Sequence, residues 1–330
     1  MAGSSIYAEL TPQWLKSRFL YGVDLTDDNG DPFPDALYVR SLTNAVEWMQ
    51  SQLGIVIDTI TGVEEFHDGE WKDGEAWWPF RLDRRPLQRV TEFAITYGQN
   101  EPAVLPVAWV KPVNLTHGQF HLVPTQDNLN NSFIIAGLPY IMGSLFQPRQ
   151  YVPGYFRVTY DAGFCFQNGD VTALDGETFV DVVFSDSFAF PTTQYGVEVS
   201  FNGRQEDQNG AVGLSVSNKT KTGFRINLRT APAGGVASIH WFASDMPGNM
   251  VQAIGLKAAL TPLDVAGDLI VGAGIASKSI SMDGLSMNIN TTSSATNAGY
   301  GARVGQYERE LKAIMGSLRK RWQIMNVSMV

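Results

Sequence analysis

Cysteine is almost missing from this chain. The one present, Cys165, leaves no internal disulfide and no cysteine-based zinc site. Long apolar runs are missing too, since no stretch approaches the roughly 18 residues a helix needs to span a bilayer. The N-terminus opens Met-Ala-Gly-Ser-Ser, with neither a basic region nor an apolar core, so no secretory leader is expected and synthesis in the cytosol is. The glycosylation-type triplets at Asn114, Asn218 and Asn290 carry no weight in that setting. Positive charge is in deficit: 24 Lys and Arg face 33 Asp and Glu, a formal net charge of −9. No attraction of the whole protein to nucleic acid follows from that balance.

Catalytic and cofactor signatures are equally scarce. There is no Gly-x-Ser-x-Gly and no Walker sequence. Gly272-Ala-Gly274 follows Leu269-Ile-Val271, but the third glycine of a dinucleotide loop is missing and a ribbon, not a helix, is expected next. The stretch from Asp27 to Asp31 reads as a turn: Leu25 occupies the first ligand position of a calcium loop, and no terminal Glu follows at the right distance. His117 and His121 are four apart, yet Gly118 and Pro124 argue against a helix and no third ligand is evident. No metal and no cofactor is expected, and the chain does not read as an enzyme.

What is present is enough for a substantial core. Of the 330 residues, 44% are apolar and 17% charged, which describes a folded protein of two domains or of one carrying an insertion. The 32 glycines and 11% aromatics lean toward β-structure with many turns. Thr11-Pro12 can cap and start a helix over 11–20, with Trp14, Leu15 and Phe19 on one side. A second helix is predicted from Pro34-Asp35 with Tyr38, Leu42, Ala45, Met49 and Leu53 on a stripe and Gly54 as its stop. Strands are expected at Ile55 to Ile60, at Pro86 to Tyr97 and at Arg157 to Phe164, with short strands and loops over 98–150. Three indoles, Trp71, Trp77 and Trp78, sit in a Gly/Asp-rich loop as satellite core or interface anchor.

Residues 165–246 have a different texture. Alternating segments at Phe179 to Phe184, Tyr195 to Phe201, Gly223 to Leu228 and Val236 to Phe242 are separated by Asn-Gly, Pro and Gly-Gly, the spacing of a small antiparallel sandwich. Helical text resumes at Pro247, so the expected domains are 1–164 with 247–330, and 165–246 as an insertion. The helix after Pro247 is expected to halt at Thr261-Pro262. A polar ribbon follows, in which Ile280 and Met282, then Leu285, Met287 and Ile289, alternate with polar residues around an Asp283-Gly284 hairpin turn. The last element is an amphipathic helix with Val304, Tyr307, Leu311, Ile314, Leu318 and Trp322 on one face. Arg303, Arg309, Lys312, Arg319, Lys320 and Arg321 oppose only Glu308 and Glu310, so this helix carries +4 (6 − 2) on an acidic protein.

The order of these pieces resembles the head–tail connector, or adaptor, proteins of tailed bacteriophages. The residues that carry the resemblance are Trp48-Met-Gln-Ser-Gln-Leu-Gly-Ile55, Arg85-Pro-Leu-Gln-Arg-Val90, Arg157-Val-Thr-Tyr-Asp-Ala-Gly-Phe164, the helix after Pro247, Ser279-Ile-Ser-Met-Asp-Gly-Leu-Ser286, and the C-terminal Leu318-Arg-Lys-Arg-Trp322. It spans 10–164 and 247–325. The inserted module looks like the sandwiches of phage fibre and other virion proteins. The resemblance implies an α+β fold, a helical-bundle adaptor core with β-ribbon and C-terminal helix plus an inserted antiparallel β-sandwich. It implies a structural virion protein of the neck, assembled in the host cytoplasm as a homo-oligomeric, dodecameric ring. The ring would join the portal protein to tail or neck completion proteins, and DNA would pass through its lumen without specific binding. Arg303, Tyr307, Arg309, Leu311, Lys312, Ile314, Leu318, Arg319 and Trp322 would dock on the portal. Ile280, Met282, Asp283, Gly284, Leu285 and Met287 would contact the next subunit. Two other readings stand beside it: a collar, whisker, fibre-anchoring or glycan-binding module built on 165–246, and a glycosidase using carboxylates such as Glu64, Glu65 and Asp68.

Overall fold

A computed structural model describes residues 5–23, 25–26, 31–69, 79–96, 103–123, 151–184, 189–202, 209–271, 277–282, 285–290 and 300–322. These fall into two compact units, 54–165 and a second that gathers 4–53 with 166–330. The expected division, 1–164 with 247–330 against 165–246, groups the same segments differently. The Trp71, Trp77 and Trp78 loop, the Asp27 to Gly30 turn, Gly272 to Gly274 and Asp283-Gly284 lie outside the described residues.

The first unit is built of strands. β1 (Ile60–Gly69), β3 (Leu87–Ile95), β4 (Ala103–Leu105) and β7 (Val152–Ala162) form an antiparallel sheet in the order β1-β7-β3-β4. β2 (Pro79–Arg81), β5 (Val110–Asn114) and β6 (Gln119–Leu122) form a second, in the order β2-β6-β5. Period-2 alternation sends Phe93, Phe156, Val158 and Tyr160 into one core with Phe80, Trp109, Phe120 and Leu122. Phe80 sits at its centre, stacked on Phe120 at 5.0 Å and edge-on to Phe93 and Phe156 at 5.2 Å. Ile55, Val56 and Ile57, expected as a strand, are buried without joining either sheet. Their backbone is used nonetheless: Val56 N–H donates to the Arg85 carbonyl at 2.7 Å, and Phe164 N–H donates to the Ile57 carbonyl at 2.8 Å.

Just after β7, Gly163 takes φ +107° and donates its N–H to the Pro86 carbonyl at 2.9 Å. The Gln88 amide donates to the Gly163 carbonyl at 3.1 Å, and the Thr59 hydroxyl to the Phe164 carbonyl at 2.7 Å. The Asp-Ala-Gly-Phe motif is therefore a splice that ties the end of β7 to the segments preceding β1 and opening β3.

The second unit contains α1 (Pro12–Arg18), α2 (Asp35–Leu53), α3 (Gly248–Val271) and α4 (Gly301–Trp322). The Thr11 hydroxyl accepts from Trp14 N–H at 3.1 Å, with Pro12 at N1, so α1 starts as its sequence requires. α2 buries Tyr38, Leu42, Ala45, Met49 and Leu53, and Gly54 closes it with φ +62°. α3 departs from expectation. It runs through Pro262, a residue that costs a helix interior about 3 kcal/mol. Pro262 is itself buried, among Ala258, Ala259, Leu263 and Ala266, and that burial outweighs the lost backbone bond.

Between the helices of this unit lie β8 (Phe166–Ala173), β9 (Phe179–Val183), β10 (Gly196–Phe201), β11 (Val212–Thr220), β12 (Gly223–Thr230) and β13 (Ala237–Ser244). They make two antiparallel sheets, β10-β13-β8 and β11-β12-β9. Phe184, Phe190, Tyr195, Phe224 and Trp241 fill the aromatic core here, and the buried Tyr195 hydroxyl donates to the carbonyls of Thr220 and Gly223. Finally β14 (Ser277–Met282) pairs with β15 (Leu285–Asn290) as a two-stranded ribbon.

The α+β reading with a helical-bundle core is thereby corrected. Among the described residues, four antiparallel sheets of three or four strands and the ribbon outweigh four α-helices. The reason lies in 60–122. Short period-2 runs there, spaced by Gly, Pro and Asn, close into a second all-β body with its own aromatic core.

Candidate functional site

The sequence singles out the C-terminal helix and the ribbon before it. α4 buries Val304, Tyr307, Leu311, Met315, Leu318 and Trp322, while Ile314 is only half-buried. The stripe is the expected one with Met315 in the place given to Ile314, one position round the helix. It packs on α3 and, to a lesser extent, α2, in the same unit. Polar bonds lock the seat. The Tyr307 hydroxyl donates to the Phe19 carbonyl at 2.5 Å, the Arg303 guanidinium to the Tyr21 carbonyl at 3.3 Å, and Arg319 to the Gln52 side chain.

That burial changes the docking expectation. Tyr307, Leu311, Leu318 and Trp322 are covered by their own chain, so they form no free apolar strip. Arg309, Lys312, Lys320 and Arg321 remain exposed beside Glu308. The cations of the last turn also complement the helix dipole. What α4 leaves exposed is charge.

The ribbon pairs in regular register, Ile280 with Met287 and Met282 with Leu285. Among the described residues no third strand joins it.

The other candidates resolve into fasteners. The Glu65 carboxylate accepts from Tyr160 O–H at 2.6 Å and from Asp83 N–H at 3.1 Å. Nε2 of His67 lies 3.1 Å from it. Burial pushes the Glu65 carboxyl up, but His67, Tyr160 and the Asp83 amide together hold it below the usual carboxylate range. A glycosidase acid needs the opposite shift. Asp68 accepts from the Tyr151 hydroxyl at 2.5 Å and from Gly154 N–H at 2.8 Å, and the Tyr151 bond lowers its carboxyl. Glu64 sits on β1 opposite Thr159. His117, beside Arg85 and Arg81, is pushed down by burial and by those cations. Among the described residues, no three His, Cys, Asp or Glu side chains gather to hold a metal. No helix there is long and apolar enough to cross a membrane.

The Glu65 cluster yields a local test. Tyr160→Phe leaves the Arg84 N–H, 3.1 Å from the hydroxyl, and the Glu65 carboxylate each one partner short. Chemical denaturation should read a loss of about 1–2 kcal/mol. Because Glu65 titrates low when folded, its contribution is present above its unfolded value and fades as pH falls through the folded one. The variant's stability should therefore fall less than the wild type's on acidification. A parallel fall would refute the linkage.

Two pieces of the molecule went unforeseen. Sequence periodicity could not show that Glu9, Arg18, Glu198 and His240 converge, because the contacts join residues up to 231 positions apart. The Asp181–Arg225–Phe179 stack on β9 and β12 was equally hidden, although its cross-strand register makes it readable once the strands are paired.

Comparison with known proteins gave no match, either to a family model or to a curated protein.

Proposed function

We propose that this chain is a structural subunit of a tailed-phage neck, an adaptor that assembles as a ring between the portal and the tail. One observation carries the reading: a six-residue by six-residue ribbon that, among the described residues, pairs with no third strand. A lone two-stranded hairpin is marginally stable in water and is completed by a neighbour. In a ring, that neighbour is the next copy. The order of elements supports the same reading: α1 and α2, the Gly163 splice, α3, the ribbon and then α4. The exposed cations of α4 give the portal contact, steering an acidic partner surface into place rather than supplying most of the affinity. The formal charge of −9 suits a lumen through which DNA slides without being held.

A second reading, anchorage of a collar or fibre through an inserted 165–246 module, is favoured by exposed Phe179 and Val183 on β9. Ring assembly separates the two. Mixed with its portal, the wild-type chain should form a closed multimer by native mass spectrometry. Replacement of 277–290 by a Gly/Ser linker should leave the melting profile intact and reduce that multimer to monomer. A linker variant that still assembles, or a wild-type chain that stays monomeric beside the portal, would overturn the adaptor reading.

A further inference from the structure

His240 lies on β13 with Asp170 of β8 directly opposite it and Ser200 of β10 on its other side. Its Nδ1 is 3.0 Å from Asp170 Oδ1, and its Nε2 is 3.5 Å from Glu9 Oε2. Glu9 belongs to a different element, the short 3-10 turn Ile6–Ala8 for which it is the C-cap. One imidazole thus bridges two carboxylates, one from the sandwich and one from the N-terminal segment. Among the described residues, the charged groups around it are Glu198 on β10, whose carboxylate is paired with Arg18 of α1 at 2.5 and 3.3 Å, and Asp170, which also receives the Asn202 amide at 3.5 Å. The Glu9 side chain is 16% exposed, that of His240 34% and that of Asp170 60%.

A neutral imidazole has a single N–H. It can donate to Asp170 or to Glu9, and its other nitrogen then turns a lone pair toward the remaining carboxylate. The imidazolium donates to both. We infer that Glu9, His240 and Asp170 form a proton-operated clasp that holds the N-terminal turn against the sandwich, closed when the imidazole carries both protons and loosened when it carries one. The Arg18–Glu198 pair makes no use of the imidazole proton, so α1 remains tethered while the turn loosens. The device is a local strap and is independent of the ring proposed above.

Amide hydrogen exchange on the full chain, corrected for intrinsic rate, tests it at Ala8, Glu9 and Leu10, whose N–H groups bond to the Ser5 and Ile6 carbonyls. Wild-type protection at these amides should be about 2- to 5-fold greater at pH 6 than at pH 8, the range of a partly exposed ion pair. Glu9→Gln and His240→Gln should each bring the ratio to about one. Arg18→Gln should lower protection equally at both pH values and leave the ratio standing. Should His240→Gln fail to fold, Glu9→Gln carries the test alone. A wild-type ratio near one, or a Glu9→Gln ratio equal to the wild type's, overturns the clasp.

Discussion

Ending the chain at residue 299 is expected to abolish the cooperative melt of the unit that holds the helices. The loss removes α4 and with it the buried Val304, Tyr307, Leu311, Met315, Leu318 and Trp322. At ~1.5–3 kcal/mol for each large apolar side chain withdrawn from water, the six are worth on the order of 10 kcal/mol. A whole domain commonly has about 5–15 kcal/mol of stability, so the deletion consumes most of what the unit has. The damage extends to what α4 covers, since α3 and α2 lose a face and Phe19 and Tyr21 lose partners for their carbonyls. Leu318, at 1% exposure, gives the graded version: Leu318→Ala should cost ~2–5 kcal/mol. Calorimetry of the truncated chain decides the matter. An unchanged melting temperature would return the stripe to the role of a free docking surface.

Gly163→Ala should be nearly as harmful from the addition of one methyl group. A Cβ there would meet the Asp58 carbonyl oxygen at 2.4 Å and its carbon at 2.8 Å, both backbone atoms that no rotamer change can move aside. The residue would also be held at φ +107°, a region that L side chains rarely enter. Strain of ~1–3 kcal/mol from the dihedral and a similar overpacking term give about 3–5 kcal/mol together. The bonds that Gly163 and Phe164 make to Pro86, Gln88, Thr59 and Ile57 would shift with it, so the loss falls on the strand unit as a whole. Gly62, at φ +67° with nothing within 4 Å of its added Cβ, is the control, and alanine there should cost less than half as much. Equal costs at the two positions would show that the dihedral, and not the collision with Asp58, sets the penalty.

The sequence was most legible where a single period ran long. The stripes of α2 and α4, the Thr11-Pro12 start, the Gly54 stop and the pairing of the ribbon all depend on short-range sequence. The strand unit was not legible in the same way. Phe80, Phe93, Phe120 and Phe156 form one core from four strands, and nothing near Phe80 in sequence announces Phe156. Pro262 misled because its local cost is real, but the burial of α3 outweighs it. The stripe of α4 left its cover open for the converse reason. An apolar helix face declares that it will be covered and is silent about whether the cover comes from the same chain. Met315 for Ile314 is the residue-level trace of that ambiguity, since the stripe follows the surface that α3 presents.

The second unit draws its helices from both ends of the chain, and that imposes a timetable on its making. Tyr307 closes on Phe19 across 288 positions, and Arg303 on Tyr21 across 282. α2 leaves the ribosome with Tyr38, Leu42, Met49 and Leu53 uncovered, and the helices that will shelter them follow some 200 residues later. At 5–20 residues per second the wait is on the order of 10–40 s. Residues 54–165 can settle during that interval, as a unit made of contiguous sequence. The nascent N-terminal helices cannot, and they are the segment that a chaperone should be found holding while the rest is translated.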